Sequence, residues 1–202
     1  MRLGLFGGTF DPVHYGHLLL AECCREQCGL QEVWFLPAAQ APHKRSAPPA
    51  PAARRVEMLE LAIAGNDSFR VCNLEIRRGG LSFTVDTLTQ LTAERPEAEW
   101  FFLLGADSLD DLPNWRQPER ICSLAVPVVV SRPGSPEPDL QRLAGMVDGA
   151  RMERIRGFRV QMPQIDLRSS DIRRRVAADE SIRYRTPKAV EVYIATHGLY
   201  RE

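Results

Sequence analysis

The chain has 202 residues, of which 44% are hydrophobic and 26% are charged, a composition typical of one globular domain (residues 1–202) with a core that needs no disulfide or metal staple. The 26 basic and 26 acidic side chains give a formal net charge of zero, and the basic excess in residues 151–202 is too small and too interleaved with acids to indicate nucleic-acid binding. The longest apolar run, Ile121 to Val130, is too short to span a membrane.

Short apolar runs alternate with longer amphipathic stretches along the chain. This alternation is typical of a parallel sheet covered by helices on both faces, so we expect a Rossmann-like, doubly wound and mostly parallel α/β fold. The predicted strands are Arg2–Phe6, Glu32–Leu36, Phe69–Cys72, Trp100–Leu104, Ala125–Val130 and Arg156–Gln161. The predicted helices are Tyr15–Gln27, Ala53–Ala64, Thr84–Glu94, an irregular Pro118–Ser123, Pro138–Val147, Ser169–Ala178 and Pro187–Thr196.

The stretch from Gly7 to His17, G-G-T-F-D-P-V-H-Y-G-H, joins the first predicted strand to the first helix. Its two glycines allow the backbone to approach a phosphate closely, and a helix N-terminus directs N–H groups and the positive end of a dipole at one point. His14 and His17 are three residues apart and share one face of the first helical turn. We therefore predict an anion site here, and not two histidines near an ordinary tight turn.

The first helix also carries three of the five cysteines, Cys23, Cys24 and Cys28. No further metal ligand accompanies them at a recognisable spacing, so we interpret them as small hydrophobic residues packed under the sheet. The odd number of cysteines and the lack of a recognisable signal peptide favour a reducing compartment, which is the cytoplasm by default.

A proline-rich segment, Pro37 to Pro51, follows the second predicted strand and contains the basic trio His43-Lys44-Arg45. Its five prolines argue against a helix or a central strand. The part up to Lys44 is predicted to reach the mouth of the site as a flap. Residues 46–51 fit a solvated linker equally well.

Polar and aromatic residues recur where predicted strands end and helices begin. Ser82 is the expected N-cap of the helix that begins at Thr84, whose N–H groups would suit an anion. Asp107 follows the fourth strand, where a carboxylate can accept from a ribose, bind a metal on phosphates, or simply cap a helix. Trp115 lies in a polar turn, a context that favours stacking on a heteroaromatic ring.

Two more segments with this character lie toward the C-terminus. Arg132 follows the fifth strand, where its guanidinium could lie against adenine or contact a phosphate. The stretch Asp166 to Arg173 begins another helix, and Ser169, Ser170 and Arg173 supply hydroxyl and guanidinium groups beside its N-terminus. Hydroxyl, N–H and arginine donors together suit the end of a triphosphate.

Taken together, these segments resemble the bacterial nicotinate-nucleotide adenylyltransferases, members of the nucleotidyltransferase superfamily with the H-x-G-H motif. The family motif G-G-T/S-F-D-P-x-H-x-G-H matches without a gap, and five more motifs follow in the family's order over essentially the whole chain. These are Pro37/Pro42-His43-Lys44, Ser82 to Leu88, Gly105 to Leu109 with Trp115, Ser131 to Gly134, and Leu167 to Arg173. The chain departs from the family pattern at Ala38 and Ala39, at Arg168 and at Ser170.

The resemblance implies transfer of AMP from ATP to nicotinate mononucleotide, which gives deamido-NAD and pyrophosphate in NAD biosynthesis. It assigns the catalytic role to His14 and His17. The residues that it places around ATP, the two histidines included, are Gly7, Gly8, Thr9, Phe10, His14, His17, Asp107 on a ribose, Arg132, Ser169, Ser170 and Arg173. Those that it places around the mononucleotide are Lys44 on the phosphate, Phe83, Thr84, and Trp115 against the pyridine. Mg²⁺ would arrive as Mg-ATP, without a dedicated protein site.

Two alternatives stay open at this point. The pantetheine-phosphate adenylyltransferases share the H-x-x-H start but lack the S-F-T helix start and the paired tryptophan. A catalytically silent nucleotide sensor would keep the fold, although both histidines are present here. The sequence predicts ATP and nicotinate mononucleotide as partners, with no nucleic acid and no membrane, and leaves the oligomeric state open, a homo-oligomer included.

Overall fold

The computed structural model describes residues 1–40, 50–131 and 138–201. Its strands are β1 (Arg2–Gly8), β2 (Glu32–Pro37), β3 (Phe69–Val71), β4 (Glu99–Gly105), β5 (Ala125–Ser131) and β6 (Arg159–Gln161). They form one sheet in the order β3-β2-β1-β4-β5-β6, and each neighbouring pair is parallel. The chain therefore winds outward in both directions from β1 and β4, which confirms the Rossmann-like doubly wound fold.

Helices cover both faces of this sheet. In the described part of the chain they are α1 (Tyr15–Gln27), α2 (Ala52–Ile63), α3 (Leu74–Arg78), α4 (Thr84–Glu94), α5 (Ala106–Asp111), α6 (Pro118–Leu124), α7 (Gly149–Arg156), α8 (Ser169–Ala177) and α9 (Lys188–Thr196). Short 3₁₀ turns cover Leu112–Asn114 and Leu140–Leu143. Among these described elements, no helix combines the length and the apolar character that crossing a bilayer requires.

The core lies on both faces of the central strands. In β4 every side chain from Trp100 to Leu104 is at most 3% exposed, as expected of a parallel strand covered on both sides. Cys23, Cys24 and Cys28 are buried free thiols, which confirms their interpretation as small core residues. Burial raises the pKa of the Cys28 thiol to about 11, so it stays protonated and unreactive at neutral pH.

Two predicted elements were wrong in the region between β5 and α8. The helix expected over Pro138–Val147 is a single 3₁₀ turn. Within this stretch only Leu140 and Leu143 are buried, and the backbone of Gly145 is left-handed, with a φ of +82°. The strand expected over Arg156–Gln161 begins only at Arg159, because Arg156 still belongs to α7. That helix is polar and buries a single residue, Ile155, so its sequence carries little amphipathic signal.

The proline-rich segment also needs one correction. Pro37 is the last residue of β2, a central strand, where it pairs in register with Gly8. A proline is tolerated there because the ladder ends at that position. The rest of the predicted flap, including His43 and Lys44, lies outside the described residues.

Candidate active site

A cleft of about 1430 Å³ opens at the carboxyl ends of β1, β2 and β4, where the strand order reverses and open α/β sheets bind their ligands. It brings together most residues predicted from the sequence. Those that line it are Gly7, Gly8, Thr9, Phe10, His17, Phe83, Thr84, Asp107, Trp115, Ser169 and Arg173. His14 and Ser170 do not line it themselves, while Lys44 and Arg132 lie outside the described residues.

The histidine pair stands at the first turn of α1. His14 is the N-cap residue and is 6% exposed, while His17 lies one turn on and lines the cleft. Their rings stack with centroids 3.7 Å apart. The His14 backbone N–H donates to Nδ1 of His17 at 3.2 Å, which places the hydrogen of the neutral His17 ring on Nε2. The helix start thus orients His17 and selects its tautomer.

Gly7 and Gly8, which precede this helix, have different surroundings. A Cβ on Gly8 would come within 2.8 Å of the Phe10 ring, so Gly8 allows Phe10 to pack into the core at a φ of +49°. A Cβ on Gly7 would meet only Phe102, at 3.9 Å. The space beside Gly7 is therefore part of the cleft. The Phe10 ring is buried in the core, so only the backbone of Phe10 can face a ligand.

Two residues predicted to bind phosphate also hold the motif loop in place. The Ser169 hydroxyl donates to the Pro12 carbonyl at 2.9 Å, and Nη1 of Arg173 donates to the Asp11 carbonyl at 2.7 Å. Helix α8, which carries both, begins after its N-cap residue Arg168, whose side chain accepts no first-turn N–H. These N–H groups, together with the other guanidinium nitrogens of Arg173, give this end of the cleft positive potential.

A buried arginine that the sequence pattern did not single out supports the same loop. Arg55 of α2 is 1% exposed and donates to three carbonyls, those of Thr9 at 2.8 Å, Ala50 at 3.0 Å and Ala39 at 3.4 Å. Burial lowers the pKa of its guanidinium, although the nearby Asp11 carboxylate opposes this shift. Arg55 therefore joins the loop after β1 to the loop after β2. An arginine within the buried stripe of an amphipathic helix is the signal that could have revealed it.

The C-terminal segment also contacts the motif loop. The Tyr200 hydroxyl donates to Oδ1 of Asp11 at 2.7 Å, and the Thr186 hydroxyl donates to the Val13 carbonyl at 2.8 Å. Burial and the Asp11 carboxylate raise the pKa of Tyr200, which keeps its phenol protonated as the donor. Residues from the far end of the chain thus fix the backbone that carries the histidines.

The opposite side of the cleft is formed by the start of α4. The expectation that Ser82 caps this helix was wrong, since Phe83 is the N-cap residue, and its side chain accepts no first-turn N–H. The Ser82 hydroxyl instead accepts the Ala39 N–H at 2.9 Å, and the Ser82 N–H donates to the Gln40 carbonyl at 3.0 Å. Ser82 therefore anchors the loop after β2 and leaves the first turn of α4 open to an anion.

Asp107 and Trp115, which follow β4, form a further side of the cleft. Asp107 is exposed in the first turn of α5 and lines the cleft. The Trp115 indole is partly buried, with its ring edge-on to Phe102 at 5.9 Å, and it lines the cleft as well. Trp115 therefore packs against the core and also lines the cleft, and its stacking on a ligand ring stays a prediction. Its neighbour Arg116 also lines the cleft and was not singled out by the sequence pattern.

Among the described residues, no group of three or more histidine, cysteine, aspartate or glutamate side chains is arranged to hold a metal ion. The only arginines that line the cleft in the described ranges are Arg116 and Arg173, and no lysine does. Positive potential in this part of the chain therefore comes mainly from helix N-termini and these two side chains.

Comparisons with known proteins identify relatives of this chain. The cytidylyltransferase-like family model matches residues 5–175. A Thermomicrobium roseum protein named "Probable nicotinate-nucleotide adenylyltransferase" is 51% identical over 200 residues, covering 99% of this chain and 92% of its own length. A Thermus thermophilus protein of the same name is 44% identical over 201 residues, with both chains fully covered.

Solved structures show the same fold at low sequence identity. The chain aligns with Plasmodium falciparum nicotinic acid mononucleotide adenylyltransferase complexed with NaAD at a TM-score of 0.76 and 17% identity, covering 98% of this chain and 97% of the other. The same enzyme complexed with APC aligns at a TM-score of 0.73 and 16% identity, covering 98% and 96%.

Proposed function

The chain belongs to the cytidylyltransferase-like family and, within it, to the nicotinate-nucleotide adenylyltransferases, and we propose that it transfers AMP from ATP to nicotinate mononucleotide, forming deamido-NAD and pyrophosphate. One observation carries this proposal beyond the relatives' names. The oriented His17 ring, the uncapped start of α8 and the uncapped start of α4 all contribute to one cleft. A triphosphate and a carboxylate-bearing acceptor are the anions that such a cleft suits.

In the proposed reaction the 5′-phosphate of the mononucleotide attacks the α-phosphorus of ATP in line. One phosphorus–oxygen bond forms and the bond to pyrophosphate breaks, so the bonding electrons leave with pyrophosphate. No general base is needed, because a phosphate monoester is already largely ionised at neutral pH. Catalysis then depends on position and on charge stabilisation.

The residues of the cleft divide this task. His17 donates its Nε2–H to an α-phosphoryl oxygen, where charge develops in the transition state. Arg173 and the first-turn N–H groups of α8 stabilise the β and γ phosphates, with Ser169 beside them. Ser170, which does not line the cleft, is proposed there from the family resemblance alone. Asp107 accepts from a ribose hydroxyl. Lys44 and Arg132, which lie outside the described residues, are proposed on the acceptor phosphate and on ATP from the family resemblance.

We propose that Mg²⁺ reaches this site bound to ATP. Bound to the phosphates, it neutralises part of the charge that passes to pyrophosphate. The described residues offer isolated carboxylates such as Asp107, and no cluster of ligands. That donor set fits an ion that the substrate carries. The cytoplasmic location likewise remains a proposal, supported by five unpaired cysteines.

The acceptor is proposed to be the acid and not the amide. Open N–H groups at α4 can satisfy both oxygens of a carboxylate, whereas an amide would set its own N–H against them. We expect kcat/KM for nicotinate mononucleotide to exceed that for the amide by at least about 10²-fold. Equal values would show that this helix start does not read the ring substituent.

The proposal is tested by incubating the purified protein with ATP, Mg²⁺ and nicotinate mononucleotide. Pyrophosphate and the dinucleotide should appear in equal amounts, and a P-chiral α-thio analogue of ATP should react with inversion at phosphorus. A His17→Asn preparation, purified in parallel, excludes a contaminating enzyme. Lack of pyrophosphate would contradict the function, while retention of configuration would contradict the direct displacement.

A further inference from the structure

Among the described residues, Arg116, the residue after Trp115, is the arginine that lines the cleft beside the start of α4. We propose that Arg116 is a specificity-determining residue, whose guanidinium binds the ring carboxylate of the acceptor and disfavours the neutral amide. This inference rests on the proposed function, because it concerns which mononucleotide the same cleft prefers.

Contacts to α4 fix the position of this guanidinium. Its central carbon lies 4.9 Å from the centroid of the Phe83 ring, and Nη1 lies 3.2 Å from Oδ2 of Asp86. Phe83 is the N-cap residue of α4 and Asp86 belongs to its first turn. Arg116 is therefore held against the uncapped end of the helix, by a cation–π contact on one side and an ion pair on the other.

The arrangement leaves donors for a ligand. A guanidinium has five N–H groups in a planar fork, and the contact with Asp86 uses one of its terminal nitrogens. Arg116 lines the cleft, whereas Asp86 does not. The remaining guanidinium N–H groups can therefore meet a substrate carboxylate together with the backbone N–H groups of Thr84 and Val85.

Charge at this end of the cleft explains why the arginine matters. Glu75 also lines the cleft, but its carboxyl accepts the Thr87 hydroxyl at 2.7 Å and has Arg78 4.0 Å away, whereas the Asp86 carboxylate is paired with Arg116 at 3.2 Å. Without Arg116, the Asp86 carboxylate would oppose an anionic ring substituent and would become available to accept from an amide NH₂. The arginine therefore favours the acid in two ways, by donating to it and by occupying Asp86.

The test compares Arg116→Gln with Arg120→Gln as a matched control. Arg120 is an exposed arginine of α6 whose Nε donates to the Thr89 hydroxyl of the same helix α4 at 3.4 Å, and it does not line the cleft. For each variant, kcat/KM is measured with the acid and with the amide mononucleotide, together with KM for ATP.

We expect Arg116→Gln to lower the acid-to-amide ratio of kcat/KM by about tenfold, mainly through KM for the acid, with KM for ATP unchanged. Arg120→Gln should leave the ratio unchanged. A ratio that Arg116→Gln does not alter, or equal losses with acid and amide, would overturn the assignment and indicate a packing role. A wild-type protein that releases no pyrophosphate with either mononucleotide would instead contradict the proposed function.

Discussion

Replacement of His17 by asparagine separates two roles that the structure gives to one imidazole. Nδ1 of His17 accepts the His14 backbone N–H at 3.2 Å and so closes the first turn of α1. The proposed catalytic donor is the other nitrogen, Nε2. An asparagine Oδ1 lies near the position of Nδ1 and can accept the same N–H, but the side chain has nothing at the position of Nε2.

The structure predicts different magnitudes for the two roles. Loss of a donor to the developing charge should lower kcat by about 10²- to 10⁴-fold in both His17→Asn and His17→Ala, with a much smaller change in KM for ATP. Loss of the helix-start hydrogen bond should cost about 1 kcal/mol of unfolding free energy, and only in His17→Ala. In a chain of this size that loss corresponds to a Tm lower by about 2–4 °C.

The assay is steady-state pyrophosphate release at saturating ATP, paired with thermal unfolding of the same preparations. His17→Asn should melt close to the wild type and above His17→Ala, while both are catalytically impaired. Near wild-type turnover by His17→Asn would refute the assignment of Nε2. Equal melting temperatures of the two variants would refute the stabilising role of Nδ1.

Three further substitutions test other parts of the cleft. Trp115→Ala should raise KM for the mononucleotide by an amount worth about 1–3 kcal/mol, because the indole offers a stacking face; a loss of about 3–5 kcal/mol of stability without a KM change would make it a core residue only. Arg55→Met should lower the unfolding free energy by about 3–5 kcal/mol in urea, since three carbonyls lose their donor; an unchanged urea midpoint would contradict that supporting role. Burial raises the pKa of Glu75 from its ordinary 4.5, so its protonated carboxyl stabilises the fold at low pH and this contribution is lost as the pH rises through the raised pKa. Glu75→Gln should therefore gain stability relative to the wild type as the pH rises from the ordinary 4.5 through the raised pKa, and a relative loss over that rise would contradict the sign.

The parts of the fold that follow a strong local pattern were predictable. Helices α1 and α4 have the predicted bounds, Tyr15–Gln27 and Thr84–Glu94, because their apolar residues recur at helical spacing. For the sheet, the sequence pattern predicted a doubly wound, mostly parallel arrangement but not the order of the strands. Helix α7 was missed because seven of its eight residues are not buried, so no apolar stripe marks it.

For the site as well, residues that are close together in the sequence were predictable, and those held by long-range contacts were not. The motif residues from Gly7 to His17 are local in sequence, and the structure brings Gly7 to Asp11 and His17 to one cleft. Arg55 and Tyr200 act through contacts that span 46 and 189 residues of chain, which no periodicity records. Ser82 was misassigned for the same reason, because its hydroxyl accepts the N–H of Ala39, 43 residues away, in place of one in its own helix.

The central claim is tested most directly by comparing acceptors side by side. Pyrophosphate release from Mg-ATP is measured with nicotinate mononucleotide, its amide and phosphopantetheine, and kcat/KM is determined for each. The geometry of the cleft predicts the largest value for the acid, a value at least about 10²-fold lower for the amide, and no release above background with phosphopantetheine. Phosphopantetheine as the best acceptor, or no pyrophosphate with any of the three, would contradict the proposed adenylyl transfer to nicotinate mononucleotide.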